Sequence, residues 1–582
     1  MYRISAATNA FLVMLTAGSL LCRAEPPDSQ RPTRQATSSR GIVVSVSAPA
    51  SHIGAQVLRD GGNAVDAAVA TAFALAVTYP PAGNIGGGGF MMVLPAPLKQ
   101  PICIDYRETA PSAATVDMFT LDDSRLGPRA VGVPGTVRGL ALAHAQFGRL
   151  PWARLVQPAA RTARQGFEVG QSLANSLNVI LQDKDSQPYS ELLRVFAPPD
   201  GRSWRAGDRL RQPDLARTLE RIANEGPGGF YAGPVAAAIV DEMKAGDGII
   251  TRQDLRDYRA KVRTAIHGTF RGYDIYGPPP PSSGGIVLVQ MLNILEQFEL
   301  RTLGKDSPET NHMVIEAMRR AFLDRARYLG DQDFVPIPDF LTSKRYARQL
   351  ASQIDREAAT PSESLAPQIR LAPEGKSTTH FSIIDQSGMA VSNTYTLEQS
   401  YGARVMVRGH GFLLNNEMGD FNWVAGHTDR LGRIGTRPNL IQPGKRMLSS
   451  QTPVLVLKDG RPRLIVGSPG GRTIINTVLC VILNHLEFEM SLPDAIAAPR
   501  LHHQWLPDQV RYEAKDQPDQ QQLVNQLQAM GHTFMTDPPA QGDAHCIVID
   551  PHTGQATGVA DGRISGSAVA ADTAPAAVAP HD

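Results

Sequence analysis

Thr378-Thr379-His380-Phe381-Ser382-Ile383-Ile384-Asp385 (TTHFSIID) begins abruptly after a segment, 356–377, of Ala, Pro, Ser and Glu with little apolar periodicity. That segment reads as an exposed, mobile linker. TTHFSIID reads as a strand, and AVSNTYTL (390–397) as its partner across a turn at 386–389. A second hairpin is expected from 453–457 and 463–466 across Asp459-Gly460, a strong turn dipeptide, with a buried helix at 474–486 after it. Ahead of the linker, helices prevail. Residues 51–59 read as a short helix with Ser51 as N-cap, and 63–78, Ala-rich and apolar on every side, as a buried one. Further helices are expected over 135–147, 155–165, 215–224, 235–243 and 310–328. Helices first and hairpins later make a mixed α/β (layered α+β) body.

The chain has 582 residues, with 57 Lys and Arg against 56 Asp and Glu and a formal net charge of +1. Hydrophobic residues make up 42% and charged residues 19%, a globular balance. The length exceeds one ordinary compact core, so two domains or one large enzyme body are both open. No basic excess marks a nucleic-acid footprint. Arg3 opens a short polar start and 11–21 is an apolar run, shorter than the ~20 residues that span a bilayer. With Ala24 as a small residue at the cut, 1–24 reads as a signal peptide, 25–40 as a disordered leader, and the product as exported, periplasmic or secreted. A retained anchor is the alternative; a lipid on Cys22 is disfavoured by the bulk of Leu21. Residues 568–582 read as a disordered tail.

Loss of Cys22 with the signal leaves Cys103, Cys480 and Cys546, an odd set without zinc spacing and without a disulfide framework. His502-His503 has no further ligand spacing, so a structural role is expected for it. The glycine run 86–89 lacks the Gly-Lys-Ser/Thr ending of a phosphate loop.

A Thr hydroxyl is a weak nucleophile unless a base stands beside it. An N-terminal Thr solves this, because its own α-amine serves as the base. The border between Ser377 and Thr378 suits such a release: a neighbouring hydroxyl can cut a strained bond there through an N-to-O acyl shift. Taken alone, Thr-Thr at a strand start is ordinary strand sequence.

The wider sequence resembles the γ-glutamyltransferase family of N-terminal-nucleophile hydrolases, from about residue 41 to 563. GGNAVDAAVA (61–70), PPAGNIGGGGFMM (80–92), YRETAP (106–111), AVGVPGTVRG (130–139), PPPPSSGGI (278–286) and LDRARYLGDQDFVP (323–336) are similar to its large-subunit blocks. TTHFSIID, GFLLNNEMGDF (411–421), RMLSSQTP (446–453), GSPGG (467–471) and PRLHHQWLPD (499–508) are similar, in order, to its small-subunit blocks. The resemblance implies a four-layer αββα sandwich, cut between Ser377 and Thr378 into a large subunit (41–377) and a small one (378–582) that pair as a heterodimer. It implies no cofactor and no metal. Thr378 would attack the γ-carbonyl of glutathione or a similar donor, and water or an amino acid or peptide acceptor would resolve the ester. Thr396 would orient the nucleophile, and Gly470 and Gly471 would form the oxyanion hole, where backbone N–H groups must come close.

By the same resemblance Arg107 would grip the donor α-carboxylate, its fork matching two oxygens, with Ser449 and Ser450 adding hydroxyls. Asp420 and Glu417, at i and i+3, would hold the α-ammonium. Three positions depart from the common pattern. Glu398 stands where many members carry Asn at the donor site, Gly419 replaces an acid beside Asp420, and the loop 424–437 has Leu431 near the position of a lid Tyr. Without an aromatic lid, water is expected to compete strongly with acceptors for the ester. The rivals are a related amidase, such as a cephalosporin acylase or a poly-γ-glutamate-cleaving enzyme, and a non-catalytic binding relative.

Overall fold

The computed structural model describes residues 34–198, 200–366, 378–430 and 433–572. Thr379–Asp385 and Ala390–Thr396 form the hairpin expected of them, with Thr379 opposite Tyr395 and Ser382 opposite Ser392. The hairpin is not at an edge. Thr379–Asp385 also pairs with Gly41–Ser45, and Ala390–Thr396 with Gly88–Leu94. The sheet runs Ser567–Ala570, Gly41–Ser45, Thr379–Asp385, Ala390–Thr396, Gly88–Leu94, Ile102–Asp105, Lys261–Thr264. Strands from before and after the linker thus interleave, and neither part completes this sheet alone. The other seven-stranded sheet is ordered Gln35–Ser38, Ala556–Ala560, His545–Ile549, Arg461–Val466, Val454–Lys458, Tyr273–Gly277, Ile266–Phe270.

Strand alternation sorts the side chains into layers. Val43, Phe381, Ile383, Val391 and Met91 join the core shared with the helix Ala64–Thr78. Ile42, Val44, Ile384, Phe90 and Met92 face Leu455, Leu457, Ile465 and Ile547 of the other sheet. That sheet's outer face, Val454, Val456, Leu464 and Val466, packs on the helices Gly284–Leu295, Pro308–Tyr328 and Thr473–Ile482. The stack is therefore helices, sheet, sheet, helices. Each large apolar side chain buried this way contributes about 1.5–3 kcal/mol. Hydroxyls stitch the sheets where apolar contact stops: Ser382 Oγ donates to the His545 carbonyl (2.8 Å) and Ser392 Oγ to that of Val466 (3.1 Å).

Every residue of Ala64–Thr78 is buried, and Asn63 and Asp66 close a reciprocal capping box at its start. The first helix begins earlier than expected, as Ala48–Arg59 with Ser47 at the N-cap position. Ser51 is inside it, hydrogen-bonded to Ser45 Oγ. Pro49 in the first turn sets this start, since its missing N–H costs nothing there. The leader expected to be disordered up to residue 40 holds a strand, Gln35–Ser38, paired with Ala556–Ala560. The expected tail likewise begins in a strand, Ser567–Ala570, against Gly41–Ser45. The linker's stem is not loose either: Ser362 is buried, and its N–H donates to Asp508 (2.7 Å). The helix expected at 474–486 is Thr473–Ile482 followed by one π-helical turn, Leu483–Glu487. Residues 1–24, 25–33, 367–377 and 573–582, and with them the signal, most of the leader, Ser377 and the end of the tail, lie outside the described residues. Among the described residues no helix is long and apolar enough to cross a membrane.

Candidate active site

Thr378 immediately precedes the strand Thr379–Asp385, and extending the register by one residue sets it opposite Thr396. The side chains meet there: Thr378 Oγ1 donates to Thr396 Oγ1 at 3.4 Å. Thr396 Oγ1 also accepts the Glu398 N–H (2.8 Å), which tightens the turn after the strand. Glu398 itself sits at φ +78°, a conformation costly for a residue with a Cβ and one that clusters at functional sites. The glycine run beside this turn has a structural job. A Cβ on Gly87 would stand 2.0 Å from the Thr396 carbonyl, so only glycine lets the backbones approach so closely.

Arg107 follows the strand Ile102–Asp105 and is fully buried. Its own N–H donates to Asp105 (2.9 Å), and its carbonyl accepts Tyr258 OH (2.8 Å). The guanidinium Nη1 is 2.6 Å from Glu417 Oε2 and 3.5 Å from Glu108 Oε2, while Nη2 donates to Asp420 and Nε to the Met447 carbonyl (3.3 Å). Glu417–Asp420 is a single 3-10 turn, which aims both acids the same way, as their spacing suggested. The two ends expected to hold the α-carboxylate and the α-ammonium are thus in direct contact. Burial lowers the affinity of Arg107 for its proton, but the surrounding carboxylates outweigh burial and raise it overall. At Glu417, by contrast, burial dominates and pushes the pKa well above the usual carboxylate range, and it pushes that of Glu108 up to about 8 despite Arg107.

Ser449 and Ser450 are positioned by the block at 278–286. The Ser449 N–H donates to the Pro281 carbonyl (2.8 Å), and Ser283 Oγ donates to the Ser449 carbonyl (2.7 Å). Ser450 Oγ accepts Arg325 Nη2 (3.0 Å), and Arg325 Nε donates to Ser283 Oγ (2.9 Å). Arg325 lies on the helix Pro308–Tyr328 and lines the same cavity. It falls in the block 323–336, whose sequence alone points to no role for it. The available signal was an Arg amid the buried positions of an otherwise well-packed helix.

Gly470 and Gly471 have φ of +131° and +59° and open the helix Thr473–Ile482. A Cβ on Gly470 would stand 2.6 Å from Thr473 Oγ1, so glycine is required there. Thr378, Thr396, Glu398, Arg107, Glu417, Asp420, Ser449, Ser450 and Gly471 all line one cavity; Gly470 sits one residue behind it. His502 and His503 lie apart from it in a buried network, with Nδ1 of His502 on Asn476 (2.7 Å) and Nε2 of His503 on Asp508 (3.1 Å). In the loop 424–437, Leu431 lies outside the described residues, so the structure leaves the lid reading where the sequence put it.

One cavity thus brings together a Thr hydroxyl at the head of a strand, a Gly-Gly turn and fixed charges of both signs. The chain matches the family described as gamma-glutamyltranspeptidase over residues 50–571 and belongs to that family. It is 43% identical over 534 residues to the glutathione hydrolase proenzyme of Escherichia coli (strain K12), covering 90% of each chain. It is 37% identical over 551 residues to the acylase ACY 1 proenzyme of a Pseudomonas species (strain SE83), covering 92% of this chain and 94% of that one. Among solved structures, the cephalosporin acylase of Bacillus halodurans superposes with a TM-score of 0.81 at 28% identity, over 94% of this chain and 99% of that chain.

Proposed function

We propose that this chain is an autoprocessing glutathione hydrolase and γ-glutamyltransferase with the four-layer αββα fold of N-terminal-nucleophile hydrolases. Thr378 Oγ attacks the Ser377 carbonyl, the resulting ester is hydrolysed, and the cut frees the Thr378 α-amine. Large (41–377) and small (378–582) subunits stay paired through their interleaved strands. In turnover, Oγ bonds to the γ-carbonyl carbon of the donor while its proton passes to the α-amine. The amide C–N bond then breaks, and the leaving amine takes that proton. Water or an amino acid or peptide acceptor adds to the ester by the same route, releasing glutamate or a new γ-glutamyl peptide. Gly470 and Gly471 face the developing oxyanion. The apolar run 11–21 supports export with removal of 1–24.

The observation that carries this reading is the charge lining. Beside Thr378 the cavity sets Arg107 against Glu417, Asp420 and Glu398, with Arg325 and Arg472 also on its wall. A glutamyl group brings an α-carboxylate for Arg107 and the serine hydroxyls, and an α-ammonium for the acids. A glutaryl group, as in the acylase reading, brings no cation and leaves those buried acids uncompensated. The test compares γ-glutamyl-anilide with glutaryl-anilide on the processed enzyme. Turnover of the γ-glutamyl compound at least tenfold faster is expected; equal or reversed preference would move the chain to the acylases.

A further inference from the structure

A groove adjoins the donor cavity, sharing Asn422 and Ile434 with it, and continues past Trp423 to Arg125, His427 and Arg433. Arg125 is its most constrained member. Asn416 Nδ2 holds its carbonyl (3.0 Å), and its guanidinium lies 5.4 Å from the centre of the Trp423 ring. The indole is itself fixed, stacked on Phe119 at 4.4 Å and donating Nε1 to the Met418 carbonyl (2.8 Å). Arg125 Nη1 is buried, stands 3.8 Å from Glu398 Oε1, and has no hydrogen-bond partner. A Cβ at Gly419 would come within 3.4 Å of that same atom. Arg125 therefore lies against the bare backbone of Gly419. The acid of the groove, Asp123, does not offset it, because Arg129 (3.0 Å) and the Thr120 hydroxyl and N–H already occupy its carboxylate.

A buried guanidinium nitrogen without an acceptor is costly unless some group completes it. Resting on the γ-glutamyl reading, we propose that this groove is the subsite for the part of the peptide beyond the scissile amide. In it Arg125, with Arg433, takes that peptide's terminal carboxylate. With the donor's own charges fixed at Arg107 and the acids and its γ-carbonyl at Thr378, the rest of the chain must leave over the shared rim at Asn422 and Ile434. A basic, aromatic-walled groove lies next along that path. The same carboxylate chemistry belongs to a departing dipeptide and to an incoming dipeptide acceptor.

The test is a cycle between the carboxylate and Arg125, on the processed enzyme. Hydrolysis of γ-glutamyl-alanyl-glycine is compared with that of its C-terminal amide, and transfer to glycyl-glycine with transfer to glycyl-glycinamide. Each is measured in wild type, Arg125→Met and Arg125→Lys. Wild type should favour the acid over the amide by about tenfold in kcat/KM, the scale of one charge-assisted hydrogen bond. Arg125→Met should erase that preference and Arg125→Lys keep part of it. Loss in the hydrolysis arm assigns the groove to the leaving peptide, and loss in the transfer arm to the acceptor. A wild type indifferent to the carboxylate in both arms, or an Arg125→Met enzyme that discriminates as wild type does, overturns the proposal. Hydrolysis of γ-glutamyl-anilide, which has no such carboxylate, reports separately on the donor reading: its absence in wild type would sink that reading instead.

Discussion

Two knots of buried charge lie in this protein, and they behave in opposite ways. In one, Glu316 is clasped by Arg319 Nε (3.1 Å), Arg320 and the Thr360 N–H (3.1 Å), while Asp508 takes Arg319, His503 and the Ser362 N–H. Two guanidiniums meet two carboxylates. Burial alone would raise the Glu316 pKa, but the two arginines overcome it and hold that pKa at about 2. In the other knot, one guanidinium, Arg107, faces Glu108, Glu417 and Asp420, and both oxygens of Glu108 and of Glu417 lack a proper hydrogen bond. There burial wins. The first knot is complete and braces the fold. The second has three carboxyls around one guanidinium and so is short of positive charge, and a substrate ammonium supplies a charge of that sign. His312 and His532, 2.8 Å apart beside Glu316, have ligand types that suit a metal. The two guanidiniums on Glu316 oppose any further cation there, which keeps that knot on the structural side.

Removing one carboxylate from each knot should separate them most sharply. Glu316→Ala leaves two buried cations without a partner and should cost about 3–5 kcal/mol of stability, read by urea unfolding. Glu417→Ala should stay within about 1 kcal/mol of wild type while raising the donor KM. Equal losses of stability would mean that both knots are structural. Arg107→Lys comes next in size. It keeps the charge but loses the fork, so donor binding should weaken by about 1.5–3 kcal/mol with processing at Ser377–Thr378 intact. An unchanged KM for a γ-glutamyl donor would remove Arg107 from the site.

A further contrast concerns pH and differs in sign between the knots. The folded pKa of Glu108, about 8, lies above the 4.5 of a free carboxyl. The folded protein then holds a proton that the unfolded chain releases, and the stability penalty grows from about pH 4.5 to about pH 8. Glu108→Gln should therefore gain in Tm relative to wild type as the pH rises from 5 to 8.5. For Glu316, whose pKa is depressed to about 2, the contribution is present above about pH 4.5 and is lost as the pH falls toward 2. A Glu108→Gln protein whose Tm difference from wild type is flat across that range would contradict the charge shortage at Arg107.

The nucleophile strand and its partner could be read from TTHFSIID and AVSNTYTL because β-branched runs and a turn are local signals. The acids at 417 and 420 came from the family resemblance, and their spacing adds only that one turn can aim both the same way. What sequence hid was long-range. Gln35–Ser38 and Ser567–Ala570 are short, Ala- and Ser-containing strands whose partners lie across the chain, at 556–560 and 41–45. Ser362 looks like linker until Asp508 and Trp505, whose Nε1 donates to the Ser362 carbonyl (3.0 Å), are brought against it. Arg125 and Gly419 carry information only as a pair, and nothing in either segment announces the other.

The central claim, that Thr378 is both the self-cutting residue and the nucleophile, is tested most directly by N-terminal sequencing and intact mass of purified wild type and Thr378→Ala. The account predicts that the smaller wild-type fragment begins at Thr378, that the variant remains one uncut chain, and that it turns over no γ-glutamyl-anilide. A Thr378→Ala protein cut normally between residues 377 and 378, or a wild-type fragment beginning elsewhere, would contradict it.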